Sequence, residues 1–170
     1  MRRRLLMMPL ILLALTGCST MRAYQEEVRS YQALADQATH ALGSGEVPIN
    51  VVAGNVGSSG SASCGQGTIT IGRDSANPRW LLAHELGHHI SGHCGQGIIN
   101  EMEANAVAIR VLQVWGMTEQ DAYRATARHL IGLKRYRGNR PLPGHDYCAE
   151  LRDVERRYPA YTPEDPGPCR

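Results

Sequence analysis

Phenylalanine is absent from the 170 residues, and two tryptophans and seven tyrosines supply all the large aromatic side chains. We therefore expect a core built on Leu, Ile, Val and Ala. The apolar run near the amino terminus, residues 5–15, is too short to span a bilayer as a helix. No internal repeat is visible, and the length suits one compact domain.

A concentrated run of basic residues is also absent after the first four positions. The chain has 18 basic and 16 acidic residues, and removal of Arg2, Arg3 and Arg4 would leave 15 basic against 16 acidic. Binding to phosphates needs a concentrated positive surface, so this balance argues against a nucleic-acid partner. It argues equally against electrostatic attachment to a membrane.

The amino terminus has the order of an export signal: basic residues, a short apolar segment, then small residues before Cys18. This order predicts a signal peptide over residues 1–17 that is cleaved off. "LTGC" at 15–18 resembles the lipobox of bacterial lipoproteins. The resemblance implies a mature domain 18–170 with lipid on Cys18, and Ser19 favours the outer membrane, facing the periplasm. The alternative is an ordinary signal peptide with Cys18 incidental.

CxxC spacing is absent, which argues against a metal site made of cysteines. Four cysteines follow Cys18, and an even number in an exported chain predicts two disulfides. Three connectivities are possible. We favour Cys64–Cys94 and Cys148–Cys169, since each pair lies within one half of the chain, and each bond would stabilise the fold by roughly 3–4 kcal/mol.

Apolar periodicity, β-branched residues and the positions of Gly and Pro predict a mostly helical α+β fold. We expect helices at 19–43, 78–91, 98–115, 118–133 and 146–157, and strands at 47–54 and 68–72. Asn77 should cap the second helix, with Pro78 in its first turn. The Gly- and Ser-rich residues 55–67 predict a loop, 135–145 an irregular stretch, and 163–170 an extended tail.

The segment "LLAHELGHHISGH", residues 81–93, contains four histidines and one glutamate. His84 and His88 are four residues apart, so on a helix they share one face and can both bind one Zn²⁺ ion per chain. Glu85 between them would act as the general base of this HExxH pattern. Gly87 costs a helix about 1 kcal/mol relative to Ala, so we expect another backbone close by. The alternative is a solvated helix face.

A catalytic zinc site needs a third protein ligand. Candidates from sequence alone are His93, Glu101, Glu103, His89 and Cys94. His89 should point about a quarter-turn away from His88. In metzincins a histidine stands six residues after the second one, but that position holds Cys94 here, so the pattern fails. His93 is expected beside the site, near the end of the helix.

The segment "NEMEANAVA", residues 100–108, is the better source of the ligand. Glu101 and Asn105 share a helix face, so Glu101 can supply a carboxylate while Asn105 orients a liganding histidine from outside the metal shell. Glu103 should point elsewhere. The alternative for Glu101 is a favourable charge in the first turn of a helix.

"AHELGHHISGH" followed by "EMEANAVA" resembles the gluzincin metallopeptidases over residues 68–108, and is most similar to the HtpX-like and ImmA/IrrE-like peptidases. The resemblance implies a zincin-like domain with a small sheet beside the HExxH helix. It also implies zinc-dependent cleavage of peptide bonds, with Glu101 as third ligand and Asn105 at the position of a later Asp or Asn.

The HtpX-like enzymes hold substrate on the edge of a short strand beside the active helix, and residues 68–72 take that place. They also have a later His-Pro segment and an Arg. "GHDYCAELR" is loosely similar, without the proline and with spacing shifted by one, which makes His145 a candidate to stabilise an oxyanion. Arg152 is the matching arginine. A surface histidine is the alternative.

Together these patterns predict a lipid-anchored zinc metalloendopeptidase that hydrolyses proteins or peptides of the cell envelope. One alternative is a zinc-binding envelope chaperone or assembly lipoprotein without catalysis. Others are a structural lipoprotein with incidental histidines and a metal hydrolase of non-peptide amides.

Overall fold

The computed structural model describes residues 8–52, 60–63, 67–161 and 167–169, with the backbone alone at 8–21 and at 63. Within these ranges the fold is α+β, as the sequence predicts, with five α-helices and three strands. The helices are α1 Met8–Ala41, α2 Pro78–Ile90, α3 Ile98–Val114, α4 Glu119–Arg137 and α5 Tyr147–Arg157; the strands are β1 Ile49–Val52, β2 Gly60–Ser63 and β3 Thr68–Gly72. A 3-10 turn spans Gly167–Cys169. None of the helices in the described ranges combines the length and apolar character that a membrane crossing needs.

The sheet has the order β1-β3-β2, so β3 is its central strand. β1 runs parallel to β3, with Ile49 opposite Ile69, and β2 runs antiparallel to it, with Gly60 opposite Ile71. Ile69 and Ile71 are fully buried. The expectation that residues 68–72 offer an edge to substrate is therefore wrong, because β1 and β2 occupy both edges of β3.

Both β2 and β3 contact α2, and β2 lies inside the predicted loop 55–67. Gly60, Ser61 and Ala62 have low intrinsic preference for strands. Their extended conformation comes from pairing with β3, and composition gives no indication of that tertiary contact. Apart from 60–63 and 67, the residues of this predicted loop lie outside the described ranges.

The predicted helices are confirmed, with shifts at their ends. The side chain of Asn77 accepts a hydrogen bond from the backbone N–H of Trp80, and Pro78 begins α2, as expected. α4 continues four residues past the predicted end to Arg137, because the first residue that stops it is Gly138 at φ 59°. The predicted helix 19–43 is part of a longer helix α1 that ends at Ala41.

α2 and α3 pack against each other with their backbones in contact. A Cβ atom placed on Gly87 would lie 2.4 Å from the carbonyl oxygen and 2.9 Å from Cα of Ala104. Real atoms do not approach so closely, so only glycine fits at position 87 without moving one helix. The expectation of a close backbone at Gly87 is confirmed, and the contact fixes the distance between the HExxH helix and the helix that carries Glu101.

Helix α1 is fastened to the rest of the domain by side-chain bonds to main-chain groups. The hydroxyl of Tyr24 donates to the carbonyl of Val51 at 2.6 Å. The amide of Gln32 donates to the carbonyl of Val47 and accepts from the N–H of Ile49. α1 therefore belongs to the folded unit from about Tyr24 onward.

The predicted disulfide Cys148–Cys169 is confirmed, with Cα atoms 5.1 Å apart. It joins the first turn of α5 to the carboxyl-terminal segment. The predicted pair Cys64–Cys94 includes Cys64, which lies outside the described residues. The side chain of Cys18 lies outside them as well.

Candidate metal centre

Three side chains from two helices bring one ligand atom each to a common point. Nε2 of His84 lies 3.1 Å from Oε2 of Glu101, Nε2 of His88 lies 3.3 Å from the same oxygen, and the two Nε2 atoms are 3.2 Å apart. His84 and Glu101 are buried, and the side chain of His88 is 12% exposed. The ligands predicted from the sequence therefore lie together in the structure as one group that could hold a metal ion.

The size of this triangle suits zinc. Ligands about 2.0–2.1 Å from a tetrahedral ion lie about 3.3–3.4 Å from one another. The three separations are within about 0.3 Å of that value. A tetrahedron with three protein ligands leaves a fourth position open, as catalytic zinc sites require.

Asn105 and Glu150 fix the orientation of His84. The side-chain amide of Asn105 donates to Oε2 of Glu150 at 2.8 Å, so its oxygen faces Nδ1 of His84 at 3.0 Å as an acceptor. Nδ1 of His84 must then carry a hydrogen, so in the neutral ring the lone pair is on Nε2. Asn105 and Glu150 are both fully buried, so this arrangement is shielded from water. Asn105 thus has the geometry expected of it.

His93 lies beside the outer nitrogen of His88. Nδ1 of His93 is 3.2 Å from Nδ1 of His88, and Nε2 of His93 is 3.1 Å from Oε2 of Glu103. Neither His93 nor Glu103 belongs to the ligand group. His89, another ligand candidate from the sequence, points away from the ligand group, and its Nε2 lies 3.0 Å from the carbonyl oxygen of Gly45.

The charges around the triangle favour a cation. Burial opposes protonation of His84, but the hydrogen bond and charge of Glu101, with the charges of Glu85 and Glu150, outweigh burial and raise its pKa. Burial would raise the pKa of Glu101, but hydrogen bonds from His84 and His88, with the charges of His84 and His145, lower it well below its usual range. The carboxylate thus stays ionised beside two imidazoles, which need a proton or a metal ion between them.

Glu85 stands next to this group and is 7% exposed. Burial raises its pKa, against the opposing influence of His84 and His88. β2 covers it closely: a Cβ atom on Gly60 would lie 2.8 Å from Oε1 of Glu85. Glycine at this position therefore leaves room for the carboxylate between the sheet and α2.

His145 reaches the site from the loop before α5. Its Nδ1 lies 3.0 Å from Oε1 of Glu150, and its Nε2 lies 3.5 Å from Oε2 of Glu101. The side chain is 16% exposed, so His145 is not a surface histidine. Arg152, the other residue suggested by the resemblance, is exposed on α5.

A cavity of about 230 Å³ opens over the ligands. Its walls come from β2, the HExxH helix, the turn after α2, the first turn of α3 and the loop before α5. The lining residues are Gly60, Ser61, Ala62, His84, Glu85, His88, His93, Gly95, Gln96, Glu101, Leu142, Pro143 and His145.

Glu150 is the functional candidate that the sequence analysis missed. It is fully buried and accepts hydrogen bonds from Asn105, from His145 and from the backbone N–H of Asp146. One pattern points to it: Glu150 lies in the buried stripe of α5 with Tyr147, Leu151 and Val154. An acidic residue among apolar helix positions needs buried partners.

No protein-family model, curated protein or solved structure matches this chain. The geometry of the described residues is therefore what supports a function.

Proposed function

We propose that the protein is a zinc-dependent metalloendopeptidase with His84, His88 and Glu101 as ligands. The observation that carries the proposal is the triangle of two imidazole nitrogens and one carboxylate oxygen with sides of 3.1–3.3 Å, beside a buried glutamate. Bound zinc would polarise the scissile carbonyl and lower the pKa of water at the open position to about 7.

Glu85 is the general base in this proposal. It lines the same cavity as the three ligands. Burial raises its pKa above the usual value for a glutamate, so the carboxylate can accept a proton from attacking water and pass it to the leaving amine. An ordinary exposed glutamate would hold that proton less well.

His145 is proposed to stabilise the oxygen that becomes negative during attack on the carbonyl. Glu150 accepts from Nδ1–H of His145 and so turns Nε2 toward the cavity. When the ring is protonated, Nε2–H can donate to that oxygen.

An extended peptide is the substrate that the cavity suits best. Among the described residues β2 pairs on one side only, with β3, and its residues Gly60, Ser61 and Ala62 line the cavity. Main-chain groups of a polypeptide could add to this edge as a further strand. Pairing of this kind favours an endopeptidase over a hydrolase of small amides.

The proposed location is the periplasmic face of the outer membrane, with lipid on Cys18. Only five residues lie between Cys18 and Tyr24, whose hydroxyl donates to a carbonyl of the sheet. A lipid at Cys18 would therefore hold the domain close to the membrane, and the proposed substrates are proteins or peptides of the envelope.

The test compares wild type with Glu85→Gln for zinc content and for cleavage of casein or peptides. We expect one bound zinc in both proteins and a loss of cleavage of at least about 100-fold in the variant, as for removal of a general base. Glu46→Gln, at an exposed position, is the matched control and should cleave normally. Equal cleavage by Glu85→Gln would overturn the mechanism, and absence of bound zinc would overturn the site.

The same variant tests the non-catalytic alternative, a zinc-binding chaperone or assembly lipoprotein. Cells that carry Glu85→Gln should then behave as wild type, whereas cells that carry His84→Asn should not. A peptidase predicts the same defect in both strains.

A further inference from the structure

Glu103, His93 and His88 form a chain of side chains that leads from solvent to the ligand group. Oε2 of Glu103 lies 3.1 Å from Nε2 of His93, and Nδ1 of His93 lies 3.2 Å from Nδ1 of His88. The side chain of Glu103 is 53% exposed, that of His93 only 9%. The backbone N–H of His93 also donates to the carbonyl of His88, which holds the turn against the end of α2.

Glu103, at the solvent end of this chain, determines which ring nitrogens of His93 and His88 carry a hydrogen. An ionised carboxylate can only accept hydrogen bonds, so Nε2 of His93 must carry a hydrogen. In a neutral ring Nδ1 of His93 then has a lone pair and accepts from Nδ1–H of His88. In the neutral ring of His88 the lone pair is then on Nε2, the atom that faces Glu101 and His84 and could bind a metal ion.

We propose that Glu103, acting through His93, is a positioning residue that holds His88 in the tautomer whose Nε2 is free to bind a metal ion. The inference rests on the metal site of the proposed function but not on its peptidase activity. It adds a role for Glu103, which lies outside the ligand triangle.

The two liganding histidines are held by different means. His84 is oriented by Asn105 and Glu150, both fully buried, while His88 depends on a carboxylate that is half exposed. An exposed ion pair contributes little to folding stability. A change at Glu103 should therefore alter the site while the fold keeps its stability, which separates positioning from a general structural role.

Glu103→Gln tests the first link. A glutamine amide can donate as well as accept, so the His93 ring is free to reverse its hydrogens and present Nδ1–H to His88. We expect the ¹⁵N shifts of the His88 ring in metal-free protein to show a partial change to the Nε2–H tautomer. The dissociation constant for zinc, measured by competition with a chelator, should rise about tenfold. The melting temperature should stay as in wild type, and Glu46→Gln is the matched control.

His93→Asn tests whether Glu103 acts through His93. The side-chain oxygen of asparagine lies about as far from Cα as Nδ1 of histidine does, so it can accept from Nδ1–H of His88 without help from Glu103. We expect His93→Asn to bind zinc nearly as well as wild type and Glu103→Gln to change the affinity less than twofold in that background. His89→Asn is the control for replacement of a neighbouring histidine.

Two results would overturn the inference. One is an unchanged tautomer and zinc affinity in Glu103→Gln. The other is an equal loss of affinity in the wild-type and His93→Asn backgrounds, which would mean that the charge of Glu103 acts directly through space. Zinc binding without peptide cleavage would contradict the proposed function but not this inference. The tautomer of His88 in metal-free protein tests the inference even if the wild-type protein binds no zinc.

Discussion

The side-chain oxygen of Asn105 lies 3.0 Å from Nδ1 of His84, and this contact determines which nitrogen of the ring faces the ligand group. The other end of the Asn105 amide donates to Glu150 at 2.8 Å. Because one end accepts and the other donates, no residue other than an amide of this length satisfies both neighbours. The candidate metal centre thus depends on a residue outside the group of three ligand candidates.

Asn105→Asp should weaken the site although the side chain keeps its shape. Its second oxygen would face Oε2 of Glu150, and two carboxylates this close repel each other unless they take up a proton. We expect a 10- to 100-fold loss of zinc affinity and a loss of at least about 1–3 kcal/mol in the free energy of unfolding. Chelator competition and urea unfolding measure the two effects. Asn139→Asp, at an exposed position, is the control. Unchanged zinc affinity would show that Asn105 does not orient His84.

Gly87→Ala should destabilise the protein, because its Cβ would overlap the backbone of Ala104. Forced separation of packed helices costs about 1–3 kcal/mol, and it would also move Glu101 away from His84. Gly132→Ala is the matched control, since a Cβ at this helical position in α4 meets nothing within 4 Å. The control should be stabilised by up to about 1 kcal/mol. Equal unfolding midpoints for the two variants would show that the helices have room to separate.

Local patterns were enough to predict the three residues that meet in the candidate ligand group. The spacing of His84, Glu85 and His88, and of Glu101 and Asn105, depends only on helix periodicity, and both helices form as expected. The close approach at Gly87 was predictable for the same reason. A glycine in the middle of a helix is unfavourable unless a neighbour needs the space.

Tertiary contacts account for what the sequence did not predict. β2 is a strand only because its main chain pairs with β3, and nothing in a Gly- and Ser-rich segment indicates that partner. The distance from His145 to Glu101 likewise depends on how the loop before α5 returns to α3. The sequence does not predict the role of Glu150, because its partners Asn105 and His145 come from two other segments of the chain.

Gly60→Ala should lower turnover and leave the zinc site intact. A Cβ at this position would lie 2.8 Å from Oε1 of Glu85 and 2.8 Å from Cδ1 of Leu81, so the carboxylate would have to move. Displacement of a catalytic group by about 1 Å can cost on the order of 100-fold in rate. We expect kcat to fall by 10- to 100-fold while zinc affinity stays within about twofold. Ser61→Ala, in the same strand, is the control, and a parallel fall in zinc affinity would point to a wider disturbance of the fold.

Loss of the Cys148–Cys169 disulfide should reduce stability without removing the site. The two cysteines are 21 residues apart, and closing a loop of this length contributes about 3 kcal/mol on the chain-entropy model. Cys148→Ser and Cys169→Ser should each show this loss in urea unfolding. The double variant should lose no more than either single one, because each change removes the same bond. Additive losses would mean that the two side chains stabilise the fold separately.

His129 should make the protein less stable in mild acid. Its ring stacks on Trp80 with centroids 3.7 Å apart, and burial, with a smaller effect from the charge of His84, lowers its pKa from 6.5 to about 4. Between these two values the unfolded chain binds a proton that the folded protein does not. The free energy of unfolding should therefore fall as the pH drops from about 6.5 to about 4, with His129 contributing at most about 1.4 kcal/mol per pH unit. His129→Phe keeps the stacking and cannot be protonated, so its stability should fall less steeply in urea unfolding across this window. Identical slopes for the two proteins would show that His129 is protonated in the folded state as readily as in the unfolded chain.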